Sequence, residues 1–183
     1  DATEQVVVET DIQKWIIQDQ QSSINFTATQ YGQSFEGNFG EFKGDIAFDP
    51  ADLEESFVNI TINIASIKTG SDDRDKQAIS EEWFDVSAYP FAYFKSTDFS
   101  KSEDGQYNVK GNLTLHGISQ EIEFPFTLHI SKNDQGVEEA QVDATLSLDR
   151  LVFDIGQGQW ESVDAIGGDI DMSISINALA NRK

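Results

Sequence analysis

Apolar and polar residues alternate at every second position along much of this chain. The alternation is clearest in residues 58–64, 107–115, 122–130, 140–148 and 170–178. Side chains of an α-helix repeat about every 3.6 residues and would leave this pattern within a turn, whereas side chains of a β-strand point alternately to opposite faces. The pattern therefore predicts β-strands that have one hidden apolar face and one polar face.

The first half of the chain carries the same pattern with more irregularity. Residues 24–28, 35–39, 42–48 and 91–99 also place apolar side chains on one face. The alternation slips by one position next to Gly40, and a β-bulge there would restore the facing of the strand.

Short turn signals separate the predicted strands. Asp-Gly at residues 104–105 favours a hairpin with a tight primed turn, and His-Gly at 116–117 and Asn-Asp-Gln-Gly at 133–136 are similar signals. Ser71 begins a different segment, for which we predict a short helix, because serine is a good N-cap and the aspartates that follow it complement the helix dipole. About eight antiparallel strands and one helix result. They could close into a barrel or stack as a sandwich, and the pattern alone leaves both architectures open.

The composition narrows the function classes. The 183 residues carry a formal net charge of −21, which repels phosphate backbones, so we expect no nucleic-acid partner. The absence of cysteine excludes disulfides and thiolate sites. No uncharged apolar run reaches the ~18 residues that a membrane-spanning helix needs. Because the sequence begins at Asp1, we expect a mature chain from which a signal peptide has been removed.

Signatures of catalysis and metal binding are missing from the sequence. The two histidines, His116 and His129, have no His or Cys at ligand spacing, and no Gly-x-Ser-x-Gly nucleophile elbow occurs. We therefore expect no catalytic residue, no metal, no catalytic cofactor and no enzymatic activity. The 33 acidic residues could still supply a hydrolytic carboxylate pair, so a hydrolase on a β-scaffold remains an alternative.

The hidden face mixes bulky and small side chains. Its bulky members include Phe26, Phe48 and Phe126, and its small members include Ala28 and Ala144. A close-packed core mixes sizes in the same way, whereas small inward residues along a barrel would leave space for a slender ligand. A cavity that holds a ligand and a filled core, as in an extracytoplasmic interaction module, both remain open.

Five longer motifs follow one another along the chain. They are SSINFTATQYGQSFEGNFGEFKGDIAFDP (22–50), INIASIKTGSDDRD (62–75), WFDVSAYPFAYFKST (83–97), GNLTLHGISQEIEFPF (111–126) and LDRLVFDIGQGQW (148–160). In this order, and from about Trp15 to the C-terminus, they resemble the YceI-like family of secreted bacterial isoprenoid-binding proteins. The chain departs from the family at Gln21 and Gln30, where the family often has His.

The resemblance implies an all-β fold: an eight-stranded antiparallel lipocalin-like barrel with one short helix in a connecting segment. We expect residues 1–12 to be an N-terminal extension and residues 13–183 to be a single YceI-like domain. The hidden face would then line the lumen and provide these candidate ligand-binding residues: Phe26, Ala28, Phe39, Phe42, Ile60, Ile62, Phe94, Gly111, Leu113, Phe124, Phe126, Ala144, Leu146, Met172 and Ile174.

The segments that do not alternate would surround the mouth of the barrel. Their candidate ligand-binding residues are Arg74, Trp83, Phe84, Arg150, Phe153 and Trp160. An equally good interpretation of each is structural: an aromatic packed on the rim, or an ion pair such as that of Arg74 with a neighbouring aspartate.

The resemblance also implies a function, which is non-catalytic binding and transport of a long isoprenoid lipid in the bacterial periplasm or outside the cell. The lipid would be a polyprenyl chain or a ubiquinone-type quinone. A diphosphate head needs several cations, and the chain has 12 Lys and Arg against 33 acids, so we favour a neutral quinone head. The expected partners are the lipid and, transiently, a membrane or a membrane protein, and the family leaves a homodimer open.

Overall fold

The computed structural model describes residues 12–181, which form β-strands over most of their length. The strands are β1 (Lys14–Ile17), β2 (Ser23–Gln30), β3 (Gln33–Phe39), β4 (Phe42–Ala47), β5 (Phe57–Asn63), β6 (Ile67–Lys68), β7 (Phe91–Lys101), β8 (Tyr107–Leu115), β9 (Ile118–Lys132), β10 (Glu138–Asp149) and β11 (Asp169–Ala180). Helix α1 (Asp72–Ala78) lies between β6 and β7. The predicted N-terminal extension falls outside the described residues except for Ile12, whose side chain is buried.

The strands join into one closed antiparallel ring. β1 pairs with both β4 and β11, so the order β1, β4, β5, β7, β8, β9, β10, β11 returns to its start. β2, β3 and β6 continue three of these strands beyond short interruptions, because β2 pairs with β11 and β3, and β3 pairs with β6. The result is a barrel of eight long antiparallel strands. It confirms the barrel prediction and excludes the stacked sandwich.

Two irregularities set which side chains face the lumen. The long strand formed by β3 and β4 is interrupted at residues 40–41, where the sequence predicts a one-residue bulge. A bulge occurs instead in β7, where the pairing with β8 skips Thr97. The additional residue turns Phe99 to the same side as Ala92 and Phe94, and Phe99 is consequently buried.

The tightest hairpins use turns in which both central residues have positive φ, which is the geometry of a type I′ turn. These residues are Tyr31 and Gly32 between β2 and β3, and His116 and Gly117 between β8 and β9. The predicted Asp-Gly turn belongs instead to a wider loop, residues 102–106, in which Gly105 alone has positive φ. The His-Gly prediction is therefore confirmed, and the tight Asp-Gly turn is wrong.

Helix α1 begins where the sequence predicts. The Ser71 Oγ accepts a hydrogen bond from the backbone N–H of Arg74 at 3.3 Å. Asp72 and Asp73 lie in the first turn, where their charge complements the positive end of the helix dipole. None of the helices in residues 12–181 is long and apolar enough to cross a membrane.

Candidate functional site

The barrel encloses two neighbouring cavities that share four lining residues. The larger, with a volume of about 390 Å³, lies beside α1 around Gln30 and Arg74, and we name it the outer chamber. The smaller, of about 190 Å³, lies around Trp15, Phe48 and Phe126, and we name it the inner chamber. The side chains that border both chambers are Ile62, Leu113, Leu148 and Met172. The hidden face of the strands thus surrounds a hollow lumen.

The two chambers differ in polarity. Every side chain that lines the inner chamber is apolar, and each is buried or half-buried. The outer chamber also has polar lining residues from the end of β2, from the connection between β6 and α1, and from α1: Gln30, Thr69, Ser71, Asp73, Arg74 and Gln77. Because Asp73 is exposed, the outer chamber reaches the surface beside α1. This arrangement suits an amphipathic molecule whose polar end lies beside α1.

Arg74 is fixed across the polar side of the outer chamber. Its Nη1 donates a hydrogen bond to Gln30 Oε1 at 2.9 Å, and its Nη2 donates to the Thr69 carbonyl oxygen at 2.8 Å. The guanidinium carbon lies 4.0 Å from the centroid of the Phe35 ring, within cation–π range. Both hydrogen-bond partners are neutral, so the ion pair suggested for Arg74 does not form; Asp75 accepts instead from Thr69.

Two indoles lie in contact in the wall of the outer chamber. The ring centroids of Trp83 and Trp160 are 5.4 Å apart. Neither indole N–H has a hydrogen-bond acceptor among the described residues, and the same holds for the Nε–H of Arg74, although all three nitrogens are buried. A buried donor without a partner costs free energy. Three such donors thus belong to residues that line one chamber.

Arg150 has a structural role in the segment that follows β10. Only 3% of the residue is exposed. Its guanidinium donates hydrogen bonds to four backbone carbonyl oxygens, those of Ile155, Ser162, Ile166 and Gly167, at 2.8–3.3 Å. Burial lowers the pKa of the guanidinium from its ordinary value, and the charge of Asp149 offsets part of this effect. Arg150 therefore holds this segment against the barrel and leaves few donors for a ligand.

Phe153 connects the same segment to the β8–β9 turn. The Nδ1 of buried His116 lies 2.9 Å from the Phe153 carbonyl oxygen, and the His116 ring packs edge-on against Tyr89 at 5.0 Å. His116 is thus placed as a hydrogen-bonding side chain within the fold. In residues 12–181 no group of three or more side chains is arranged to hold a metal ion.

Aromatic side chains close the far end of the inner chamber. Phe48 follows β4, and its ring lies 5.2 Å from Phe99, 5.7 Å from Tyr107 and 6.1 Å from Phe126, measured between centroids. The Trp15 indole N–H donates to the Phe48 carbonyl oxygen at 2.9 Å. We name these five side chains the aromatic floor.

The barrel and its hollow lumen suggest a family of ligand-binding proteins, and a comparison with known families identifies that family. The family model described as YceI-like domain matches residues 15–178. The chain belongs to the YceI-like family. A relative from Vibrio parahaemolyticus, described as a UPF0312 protein, is 35% identical over 73% of this chain and 72% of its own length.

Solved structures agree with the YceI-like fold. BcnA from Burkholderia cenocepacia superposes with a TM-score of 0.80 at 25% identity, over 88% of this chain and 98% of BcnA. A polyisoprenoid-binding domain from Saccharophagus degradans, implicated in plant cell wall breakdown, gives a TM-score of 0.69 over 91% of this chain and 98% of that domain. Its identity is 14%, so this second likeness concerns the fold alone.

Most residues predicted for the lumen of this YceI-like barrel line one of its chambers. Those that do are Phe26, Ala28, Phe39, Ile60, Ile62, Phe94, Leu113, Phe124, Phe126, Ala144, Leu146, Met172 and Ile174. Gly111 does not, because the Phe94 ring covers it: a methyl group at Gly111 would lie 2.7 Å from Phe94 Cζ. Phe42 does not either, since it begins β4 directly after the interruption and packs against neighbouring apolar side chains.

All six residues predicted for the mouth line the outer chamber: Arg74, Trp83, Phe84, Arg150, Phe153 and Trp160. Their contact with a ligand stays a prediction. The predicted set omitted Phe48, Trp15 and Phe99, which line the inner chamber. Phe48 belonged to the hidden face in the alternation pattern, whereas the facing of Phe99 depends on a bulge that the sequence does not signal.

Proposed function

We propose that this protein binds a long isoprenoid lipid in its lumen and carries it without chemical change. The observation that carries the proposal is the polarity of the two neighbouring chambers: one is entirely apolar, and the other has polar groups where it reaches the surface. The polyisoprenoid-binding character of the Saccharophagus domain, which has the same fold, supports the proposal.

The energetics of burial suit a carrier. Each methylene removed from water contributes about 0.8 kcal/mol, so a tail of several isoprene units would hardly dissociate into water. Transfer between a membrane and the lumen costs much less, because both environments are apolar. The lipid would therefore exchange at a membrane or at a membrane protein and remain bound between them.

The head of the lipid would lie in the outer chamber. The unpaired N–H groups of Arg74, Trp83 and Trp160 support a head that bears acceptor oxygens. A diphosphate would require several cations, and of the two arginines that line this chamber Arg150 is committed to backbone carbonyl oxygens. A neutral quinone of the ubiquinone type, whose carbonyl oxygens accept hydrogen bonds, meets these conditions better than a diphosphate.

Exchange would take place where the outer chamber reaches the surface. Three exposed apolar residues directly adjoin lining residues in sequence: Tyr31 (74% exposed) follows Gln30, Ile79 follows Ala78, and Val152 precedes Phe153. Apolar side chains of this kind would favour brief contact with a membrane or a membrane protein. A periplasmic or secreted location would give the protein access to such surfaces.

Organic extraction of the purified protein, followed by mass spectrometry, tests this proposal. We expect an isoprenoid in the extract, and a redox-sensitive quinone absorbance would identify its head. If the extract contains no isoprenoid, and the purified chain also takes up none from ubiquinone-loaded vesicles, the proposed function is wrong.

A further inference from the structure

The aromatic floor spans the barrel from wall to wall. Phe48 follows β4, and its ring contacts Phe126 on β9. β4 and β9 are opposite each other, because β5, β7 and β8 separate them in one direction round the ring and β1, β11 and β10 separate them in the other. Phe99 on β7 and Tyr107 on β8 complete the contacts across this end of the lumen.

The position of Phe48 is fixed by the backbone as well as by packing. Its N–H donates to the Gln13 carbonyl oxygen at 3.0 Å, and its own carbonyl oxygen accepts from the Trp15 indole. Within the floor, Tyr107 stacks on Phe126 with ring centroids 5.5 Å apart and planes 19° apart, and it packs behind that ring, since Tyr107 itself does not line the inner chamber. A ring held in this way cannot swing aside without breaking several contacts.

We propose that Phe48 sets the maximum length of the isoprenoid tail that the lumen accepts. This proposal rests on the proposed function. The polar groups beside α1 determine where the head lies, and the aromatic floor determines where the tail must end. A tail too long for this distance would displace its head from Arg74, Trp83 and Trp160. A tail too short would leave part of the inner chamber empty and lose apolar contact. Phe48 is therefore a specificity-determining residue for tail length.

A competition between tails tests this inference. The purified chain is equilibrated with an equimolar series of ubiquinones that differ only in the number of isoprene units, and the bound quinones are extracted and quantified by mass spectrometry. We expect wild-type protein to retain a narrow range of lengths. Phe48→Ala removes a phenyl ring, which is close in size to one isoprene unit, so the preferred tail should lengthen by at least one unit. The bound ratio of the longer to the wild-type tail should rise roughly tenfold or more, because each buried methylene changes affinity several-fold.

The matched control is Phe91→Ala, which removes the same ring from the outer wall, where Phe91 is 42% exposed. It should leave the distribution of lengths unchanged. If Phe48→Ala does not fold, Phe48→Leu decides the question by a smaller shift in the same direction. If a folded Phe48 variant still binds ubiquinone and retains the wild-type distribution of tail lengths, the role of Phe48 is overturned and the proposed function is not. Wild-type protein that binds no ubiquinone of any length, and whose organic extract contains no isoprenoid, would instead overturn the proposed function.

Discussion

The guanidinium carbon of Arg150 lies 4.9 Å from the centroid of the Trp83 ring. This contact joins the segment after β10 to the segment after α1, and both segments line the outer chamber. The wall of the chamber on this side therefore depends on one buried cation and the ring beneath it.

Replacing Arg150 should weaken this wall. Arg150→Met keeps much of the apolar stem but removes the donors to four backbone carbonyl oxygens, so we expect a loss of about 3 kcal/mol or more in the free energy of unfolding. Arg150→Lys should be nearly as harmful, because a single ammonium cannot reach all four acceptors. Urea unfolding measures the change. Lys95→Met on the exposed outer wall is the control, and an Arg150→Met loss no larger than that of the control would contradict the structural role.

Ala144 and Gly111 should respond differently to enlargement. Ala144 lines the inner chamber, so Ala144→Phe should fill the space and lower the amount of bound lipid by roughly tenfold or more. A methyl group at Gly111 would lie 2.6 Å from the Lys95 carbonyl oxygen, so Gly111→Ala should cost about 1–3 kcal/mol of stability without filling a chamber. Lipid per protein by mass spectrometry and urea unfolding separate the two effects. Full lipid content in a folded Ala144→Phe would show that the tail does not occupy the inner chamber.

The unpaired indoles should matter for the head of the ligand and not for its tail. Trp83→Phe and Trp160→Phe keep an aromatic ring and remove the N–H donor. We expect each to weaken binding of a ubiquinone by about 1 kcal/mol, or roughly fivefold. Binding of an isoprenoid hydrocarbon, which has no acceptor, should change equally little in both variants. Equal losses for the quinone and the hydrocarbon would mean that the indoles act by packing alone.

Arg74 distinguishes between the two heads. Arg74→Gln removes the cation beside Gln30 while keeping a hydrogen-bonding side chain. For a neutral quinone we expect a loss of roughly tenfold to a hundredfold, as for one hydrogen bond of a charged donor. A diphosphate would lose much more, and its affinity would fall as salt is added, because a charged head depends on the cation. Titration of both lipids at two salt concentrations provides the comparison, and a stronger effect on the quinone would be contrary to our proposal.

The local pattern of the chain was sufficient to predict most of the strands and the helix cap. Alternation along residues 140–148 and 170–178 predicts the facing of β10 and β11 correctly because the facing of a strand is a property of the strand itself. Ser71 is predictable for the same reason, since an N-cap involves only a few consecutive residues. The bulge at Thr97 could not be predicted, because it depends on the pairing of β7 with β8.

The sequence by itself therefore determined an all-β chain with one apolar face and, through its motifs, the YceI-like family. Only the tertiary structure decided that the apolar face surrounds two chambers and that Phe48 reaches the opposite wall. It also decided that Arg150 donates to backbone carbonyl oxygens, whereas one N–H group each of Arg74, Trp83 and Trp160 has no acceptor among the described residues. The reason is distance along the chain. Barrel closure pairs Trp15 with Ala180, and contacts between residues so far apart depend on the whole fold and not on any local pattern.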